Sequence, residues 1–562
     1  MLRIHKILRS VLASGAAVLV LSQGGSAQMA AIDSPAAPGL RSSLSISEPV
    51  LSRALVQHGI ALPEVAAFYA ARGGAPFWMA PDGAWARALL ASLERADRHG
   101  LPRARYDPEG LRRRMAGPDP ARAEAALMAA YLDFARHLTS GVVDPRSADR
   151  EIHLPVAPLP VAALLARLSG PAPTDLEGLA PQDEEYRRLQ AELERMRALA
   201  RRMAALPEVP PGPTLRPGQV SDRVVALRER LAALAETGLM QPDGGITPAE
   251  GLIVPAPLGS ARVYDSALAE AVRDFQARSG LVPDGIVGPA TLAALNATAA
   301  ERFGQVLVNL ERIRWLRRDH SERHIFVNQA DFTMEFMDGG RLVLDSRVIV
   351  GKPKFATPEF VDMMDHMVVN PTWHVPTSIA TKEILPLLQR DPNYLVRNGY
   401  RLVPTGSEPV PDGVTSDFSQ FSTRYFPFRI KQDPSERNAL GRVKFMFPNQ
   451  FSIYLHDTPT KSLFEKDQRT YSHGCVRVER PFELAYALLE GQVEDPRGYF
   501  DAILATGRER RINLARPVKV YLTYRTVFLD RQGSVQYRAD VYGRDARVLA
   551  RLAEAGVEVA IR

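Results

Sequence analysis

Near residue 303 the spacing of apolar residues changes from a helical to a strand-like rhythm, so no single layer type can accommodate the whole chain. From about 48 to 206 apolar positions recur at helical intervals, as in residues 64–72, 85–98 and 121–138. Gly100, Pro102, Gly141 and Pro145 punctuate them. No constellation of catalytic residue types lies in this part, which reads as a helical scaffold, 46–206. Its last segment, 183–206, is strongly charged and is expected to be a solvated surface helix. Beyond 303, residues 324–328, 341–350 and 516–524 are rich in β-branched and aromatic side chains with partial alternation. Residues 380–425 break that texture and are expected to form an insertion over the sheet. With 562 residues and a globular composition, several domains of multidomain α+β class are expected.

A Pro-rich joint at 207–214 separates the scaffold from a shorter helical region. Ser221 is a natural N-cap for an amphipathic helix over 221–231. Further helices are expected at 266–278 and 289–295, joined by a loop in which Asp284, Gly285 and Gly288 permit tight turns. This stretch, 214–297, resembles the three-helix peptidoglycan-binding domain of wall enzymes. Ala271, Val272, Phe275, Gln276, Gly280, Leu281, Asp284, Gly285, Gly288, Thr291, Ala294, Leu295 and Asn296 carry the likeness, with Phe275 and Leu295 read as core.

The first residues have the build of a secretory signal peptide, 1–27. Arg3, Lys6 and Arg9 form a basic region, residues 11–21 a short apolar run, and Gly25, Ser26 and Ala27 a site for cleavage. The run is too short to span a bilayer comfortably, and no later segment offers around 18 uninterrupted apolar residues. A periplasmic product is therefore expected. The net charge of +6 falls by three when the basic region leaves. That mild positive charge suits association with an anionic cell wall and falls short of a nucleic-acid footprint. Cys475 is the only cysteine, so an exported chain cannot close an internal disulfide. The thiol is either buried and inert or kept for chemistry.

Its surroundings favour chemistry. In residues 451–457, read as a strand, Phe451, Ile453 and Leu455 face one way, and Ser452, Tyr454 and His456 the other. In 475–478, Val476 and Val478 face inward while Cys475 and Arg477 share the outer side. A helix is expected from Pro481 to a cap at Gly491. Gly474 lets the backbone approach closely and leaves an amide for an oxyanion. A free thiol is only a few per cent ionised at neutral pH, but a neighbouring imidazole can take its proton and hold the anion as an ion pair. His456 and His473 are both candidates. No fourth ligand with zinc-like spacing accompanies them, so neither a metal nor another cofactor is expected.

His456, followed sixteen positions later by Ser472, His473, Gly474, Cys475, Val476 and Arg477, resembles the signature of the L,D-transpeptidase (YkuD-type) catalytic domain. Residues 370–376 (NPTWHVP), 438–448 (NALGRVKFMFP) and 454–459 (YLHDTP) match its large, multidomain periplasmic branch. Residues 68–72 with Trp78 resemble that branch's scaffold domain. The resemblance implies a catalytic β-sandwich at 303–562 with a lid-like insertion at about 380–425. It implies Cys475 as nucleophile and His456 as base, with the carbonyl of Asp457 orienting the imidazole. Gly474 and Cys475 amides, Tyr454 and His473 would stabilise the oxyanion, and Arg477 would hold a substrate carboxylate. Trp373 is read as a wall of the cleft or, equally, as a core aromatic. The implied partners are a tetrapeptide stem donor and a diaminopimelate amine acceptor, joined 3→3 through a thioester that carbapenems mimic. An L,D-carboxypeptidase, or an enzyme attaching or detaching wall proteins, would share every motif.

Overall fold

Apolar side chains collect into four separate cores along the chain, and these cores organise it more clearly than chain order does. The computed structural model describes residues 46–560 apart from 174, 205, 238–259, 317–321, 392 and 407–416. The expected signal peptide lies outside the described residues.

The first core belongs to the helical region. Helices Ala84–Glu94, Pro120–Ser140 and Glu184–Ala204 bury residues such as Leu89, Leu127, Tyr131, Tyr186 and Leu193. Glu184–Ala204 is therefore not a solvated helix: Tyr186, Leu189, Leu193 and Met196 form an apolar stripe beneath the charges. Helix Ala299–Trp315 also belongs to this core, through Phe303, Val306, Leu307 and Leu310. It begins at a capping box in which Thr298 and Glu301 exchange hydrogen bonds. The Glu311 carboxylate accepts from the amides of Val142 and Val143 and pairs with Arg314, tying the helix to the region before it. Residues 527–557 return to the same core through Val527, Val548 and Leu552. The change of texture at 303 thus precedes the first strand by about one helix, and both ends of the expected catalytic segment pack on the scaffold.

The second core is the small helical region. Helices Asp222–Glu236, Ser266–Arg278 and Pro289–Leu295 close on Leu227, Leu231, Val272, Phe275 and Leu295. Gln276 knits its loop, donating to Asp284, Ile286 and Thr291 and accepting from the Gly285 amide.

The third core lies inside a sheet of nine strands. In chain order the strands of residues 322–537 are β1 (His324–Asn328), β2 (Thr333–Asp338), β3 (Arg341–Gly351), β4 (Phe360–Val369), β5 (Trp373–His374), β6 (Tyr400–Pro404), β7 (Phe428–Gln432), β8 (Val443–Met446), β9 (Leu455–His456), β10 (Thr470–Ser472), β11 (Val476–Val478), β12 (Arg510–Thr523), β13 (Val527–Leu529) and β14 (Val535–Tyr537). The large sheet runs β10-β3-β11-β9-β8-β4-β12-β1-β2, and β2 also pairs with β3. The sandwich expected from the family is therefore closed on itself by continuous hydrogen bonding, which leaves few open edges. Ile325, Met334, Val348, Met367, Phe445, Leu455, Val476 and Val520 fill it.

The fourth core is the insertion, built on Ile384, Leu388, Phe418, Phe428 and Ile430. It carries its own three-stranded sheet, β5-β7-β6. Its packed residues run from Trp373 to Ile430, wider than the expected 380–425. The helical rhythm of 377–397 is followed by strands whose alternation is too short to stand out.

Candidate active site

The C-terminal end of β3 is flanked on one side by β10 and on the other by β11, so residues 473–475 must cross over the strand end. Gly474 makes that crossing at φ +114, where a side chain would be strained and would meet Ile453 at 3.0 Å. The turn is fixed from both ends. Ser472 Oγ donates to the Cys475 carbonyl (2.5 Å) and accepts from the Gly474 amide (3.1 Å). Thr357, fully buried, donates its hydroxyl to the Gly474 carbonyl at 2.7 Å and accepts from the Gly351 amide. The Gly474 N–H is thus engaged by Ser472 and does not face an oxyanion. Among the described residues the Cys475 N–H has no hydrogen-bond partner.

β11 runs parallel to β9, with Val476 beside Leu455 and Arg477 beside His456. β9 runs antiparallel to β8, with Lys444 opposite His456. Register partners share a face, so Lys444, His456 and Arg477 form a row across three strands, with Cys475 and Tyr454 in the next row. The expected strand over 451–457 is real only at Leu455–His456. Ser452 takes φ +56, and Asn449 ties the loop by accepting from the Phe451 and Ile453 amides. The left-handed turn aims the Ser452 carbonyl at the sulfur, 3.7 Å from Cys475 Sγ.

The half-buried sulfur takes its hydrogen bonds with Ser452 and with Tyr454, whose phenol also points to it. His456 is a diagonal neighbour of the sulfur on the same sheet face and is not hydrogen-bonded to it among the described residues. Its Nδ1 donates to the Asp457 carbonyl at 2.5 Å. That contact favours the proton on Nδ1, because a carbonyl only accepts, and the Leu440 carbonyl also acts on the ring. Burial and then the Arg477 charge lower the His456 pKa to about 3. Burial raises the Cys475 thiol to about 11, opposed by Tyr454, Arg477 and Lys444. Burial disfavours both charged forms, which favours a neutral thiol beside a neutral imidazole over an ion pair in the free site.

The remaining residues sort by partner. Arg477 makes no hydrogen bond or ion pair among the described residues, and its Nε is buried without a partner. Burial lowers its pKa. The Asp457 carboxylate is structural, accepting from Lys461 and from the Arg442 amide. His473 reaches away from the row: its Nε2 meets Glu383 of the insertion at 2.6 Å, and its ring packs on Phe355. Trp373 lies against the insertion's core, near Tyr400, rather than in the row with Cys475. Lys444, Ser472, Ser452 and Thr357 were given no role from sequence. Ser472 and Lys444 sit inside recognised motifs, so their positions were visible. Nothing local distinguishes Thr357 from any other threonine.

Comparison with known proteins places the chain's segments among known domains. Residues 322–496 match the family model described as "L,D-transpeptidase catalytic domain". Residues 63–193 match "Scaffold domain", and 221–295 match "Putative peptidoglycan binding domain". A Haemophilus influenzae protein named "Putative L,D-transpeptidase" is 32% identical over 246 residues, covering 43% of this chain and 48% of its own length. The chain thus spans about half the length of that relative. Two crystal structures of L,D-transpeptidases, from Xylanimonas cellulosilytica and Stackebrandtia nassauensis, align at 16% and 14% identity. They cover 56% and 57% of this chain and 100% and 98% of their own, with TM-scores of 0.17 and 0.19, too low to bear on the fold. Residues 322–496 therefore belong to the L,D-transpeptidase catalytic-domain family, on a chain that also carries scaffold and peptidoglycan-binding domains.

Proposed function

We propose that the protein is a periplasmic peptidoglycan L,D-transpeptidase, forming 3→3 cross-links through a Cys475 thioester. The observation that carries this reading is Arg477, a guanidinium with no hydrogen bond or ion pair among the described residues and with its Nε buried and unpaired, two residues along the same sheet face from the chain's only thiol. A guanidinium fork is suited to a carboxylate, and a stem tetrapeptide ends in one. Binding that carboxylate offsets the positive charge that depresses His456, so the donor itself makes the base more basic. With Nδ1 held by Asp457, Nε2 takes the thiol proton as sulfur attacks the carbonyl of the third stem residue's L-centre. The Cys475 amide and the Tyr454 hydroxyl receive the oxyanion. The terminal D-alanine leaves with the proton from Nε2. The acceptor amine then attacks the thioester, the C–S bond breaks, and sulfur is reprotonated.

The peptidoglycan-binding domain supports a substrate in the wall, outside the cytoplasm. Among the described residues no helix is long and apolar enough to cross a membrane. The signal peptide at 1–27 would supply export, and the scaffold at 46–206 and binding domain at 214–297 would hold the catalytic sheet to the wall. An L,D-carboxypeptidase, or an enzyme that attaches or detaches wall proteins, would use the same cysteine. Incubation with a stem tetrapeptide separates these readings by whether cross-linked dimer or tripeptide dominates. The first test is acylation by a carbapenem, read by intact mass. Wild type gains one adduct and Cys475→Ala gains none; an adduct on the variant removes the assignment.

A further inference from the structure

We infer that Glu383, acting with His473, receives the ammonium of the acceptor. This rests on the transpeptidase reading and extends it to the half of the reaction for which the row of catalytic residues offers nothing.

The charges acting on the sulfur are both cations, Arg477 and Lys444. They suit an anionic donor and repel an approaching ammonium. A primary amine is a nucleophile only once it has lost a proton, so a transferase needs a carboxylate beside the thioester and a group to accept that proton. Glu383 is the carboxylate the fold links to the nucleophile's turn, through His473 two residues before Cys475. It comes from the insertion, from a short π-helical turn at Ala380–Ile384, a geometry that recurs where a side chain is re-aimed for function. Its neighbours Ala380, Thr381 and Ile384 are buried, which anchors the turn, while Glu383 and Lys382 are left outward. The Glu383 carboxylate, about half exposed, meets His473 Nε2 at 2.6 Å. His473 is two residues before the nucleophile on the turn fixed by Ser472 and Thr357, and Phe355 packs against its ring at 4.8 Å. The pair is thus open to solvent and held at its catalytic end, and its carboxylate is opposite in sign to Arg477 and Lys444, with Lys354 on the ring of Phe355 beyond it.

In this scheme the ammonium gives one proton to the pair and the free amine attacks the thioester carbon. The C–N bond forms, the C–S bond breaks, and the second amine proton passes to the departing sulfur. Water carries no charge for the carboxylate to hold, so the pair concentrates the amine over water and biases the acyl-enzyme toward transfer. Two further acids lie near the row: Asp457, whose carboxylate is taken up by Lys461 and the Arg442 amide, and Glu509, whose carboxylate accepts the Thr372 amide at 2.5 Å and acts on Lys444.

The test supplies the full chain with a donor tetrapeptide whose side-chain amine is acetylated and a second tetrapeptide with that amine free. Dimer and tripeptide are counted by mass spectrometry as acceptor concentration varies. Glu383→Gln should lower the dimer-to-tripeptide ratio at least tenfold and raise the apparent KM for the amine by a similar factor. Glu383→Asp should recover part of the ratio, and Glu509→Gln should leave it in place. Equal loss of both products in Glu383→Gln, an unchanged ratio, or a shift caused by Glu509→Gln instead would overturn the assignment. If wild type makes only tripeptide at every amine concentration, no acceptor site operates and the inference falls with transfer itself. If wild type forms no thioester, the enzymatic reading fails first, and the two failures are distinguished by the mass of the acyl-enzyme.

Discussion

Two arginines bear on the Gly474 turn, and the fold treats them in opposite ways. Arg544 is fully buried and engaged throughout: it donates to the Thr357 carbonyl, to Glu359 and to Gln329, with Asp149 at 3.6 Å and the rings of Tyr524 and Tyr542 beside it. Through Thr357 it supports the hydroxyl that holds Gly474. Arg477 is half-buried and makes no hydrogen bond or ion pair among the described residues, with its Nε buried and unpaired. A donor buried without a partner costs stability. The Arg544 network holds the turn, and on the proposed reading the Arg477 donors are left for the carboxylate of the stem peptide.

The largest test of that contrast removes Arg544. Glu359 is already raised in pKa by burial, with Arg544 and Arg312 the charges that oppose this. Losing the guanidinium strands Glu359 and frees Thr357, so Arg544→Met should destabilise the protein by about 3–5 kcal/mol, read as a fall in urea midpoint. A loss under about 1 kcal/mol would show the network to be dispensable and break the comparison.

Arg477→Met should do the reverse. Stability should hold or rise slightly, because an unpaired cation gives way to an apolar chain. Donor acylation should fall by about 10–100-fold, the worth of a charge-assisted hydrogen bond of roughly 1.5–3 kcal/mol. A donor with its terminal carboxylate amidated should show a much smaller drop. If both donors lose equally, Arg477 does not read that carboxylate.

This division also marks how far sequence could reach. Periodicity located the helices at Ser266–Arg278 and Pro289–Leu295 and the inward valines of β11, because those patterns are local. It misplaced the scaffold boundary, since the capping box at Thr298 begins a helix that belongs to the earlier core. Motif spacing singled out Cys475, His456 and Arg477. It could not show that Ser472 occupies the Gly474 amide, that His473 turns to the insertion, or that Thr357 supports the turn. The first is a local turn whose closure the spacing does not reveal; the other two depend on partners far away in sequence, such as Glu383, 90 positions before His473. Nor could composition show the protonation states, which follow from burial on a closed sheet.

The smallest effect concerns the thiol itself. Burial outweighs the help of Tyr454, Arg477 and Lys444 and leaves Cys475 at about 11, so the free enzyme holds almost no thiolate at neutral pH. Alkylation by iodoacetamide should therefore climb about tenfold per pH unit from 8 to 10, without the plateau near 7 that a resting thiolate–imidazolium pair would give. The sign of the Arg477 contribution can be read in the same experiment. A nearby cation favours the thiolate, so Arg477→Met should move the thiol further up and slow alkylation at pH 9 by a few fold. Faster alkylation in the variant would mean that the guanidinium shields the sulfur more than it stabilises the anion. Arg477 would then be guarding the nucleophile before the donor arrives, and its open donors would need another explanation.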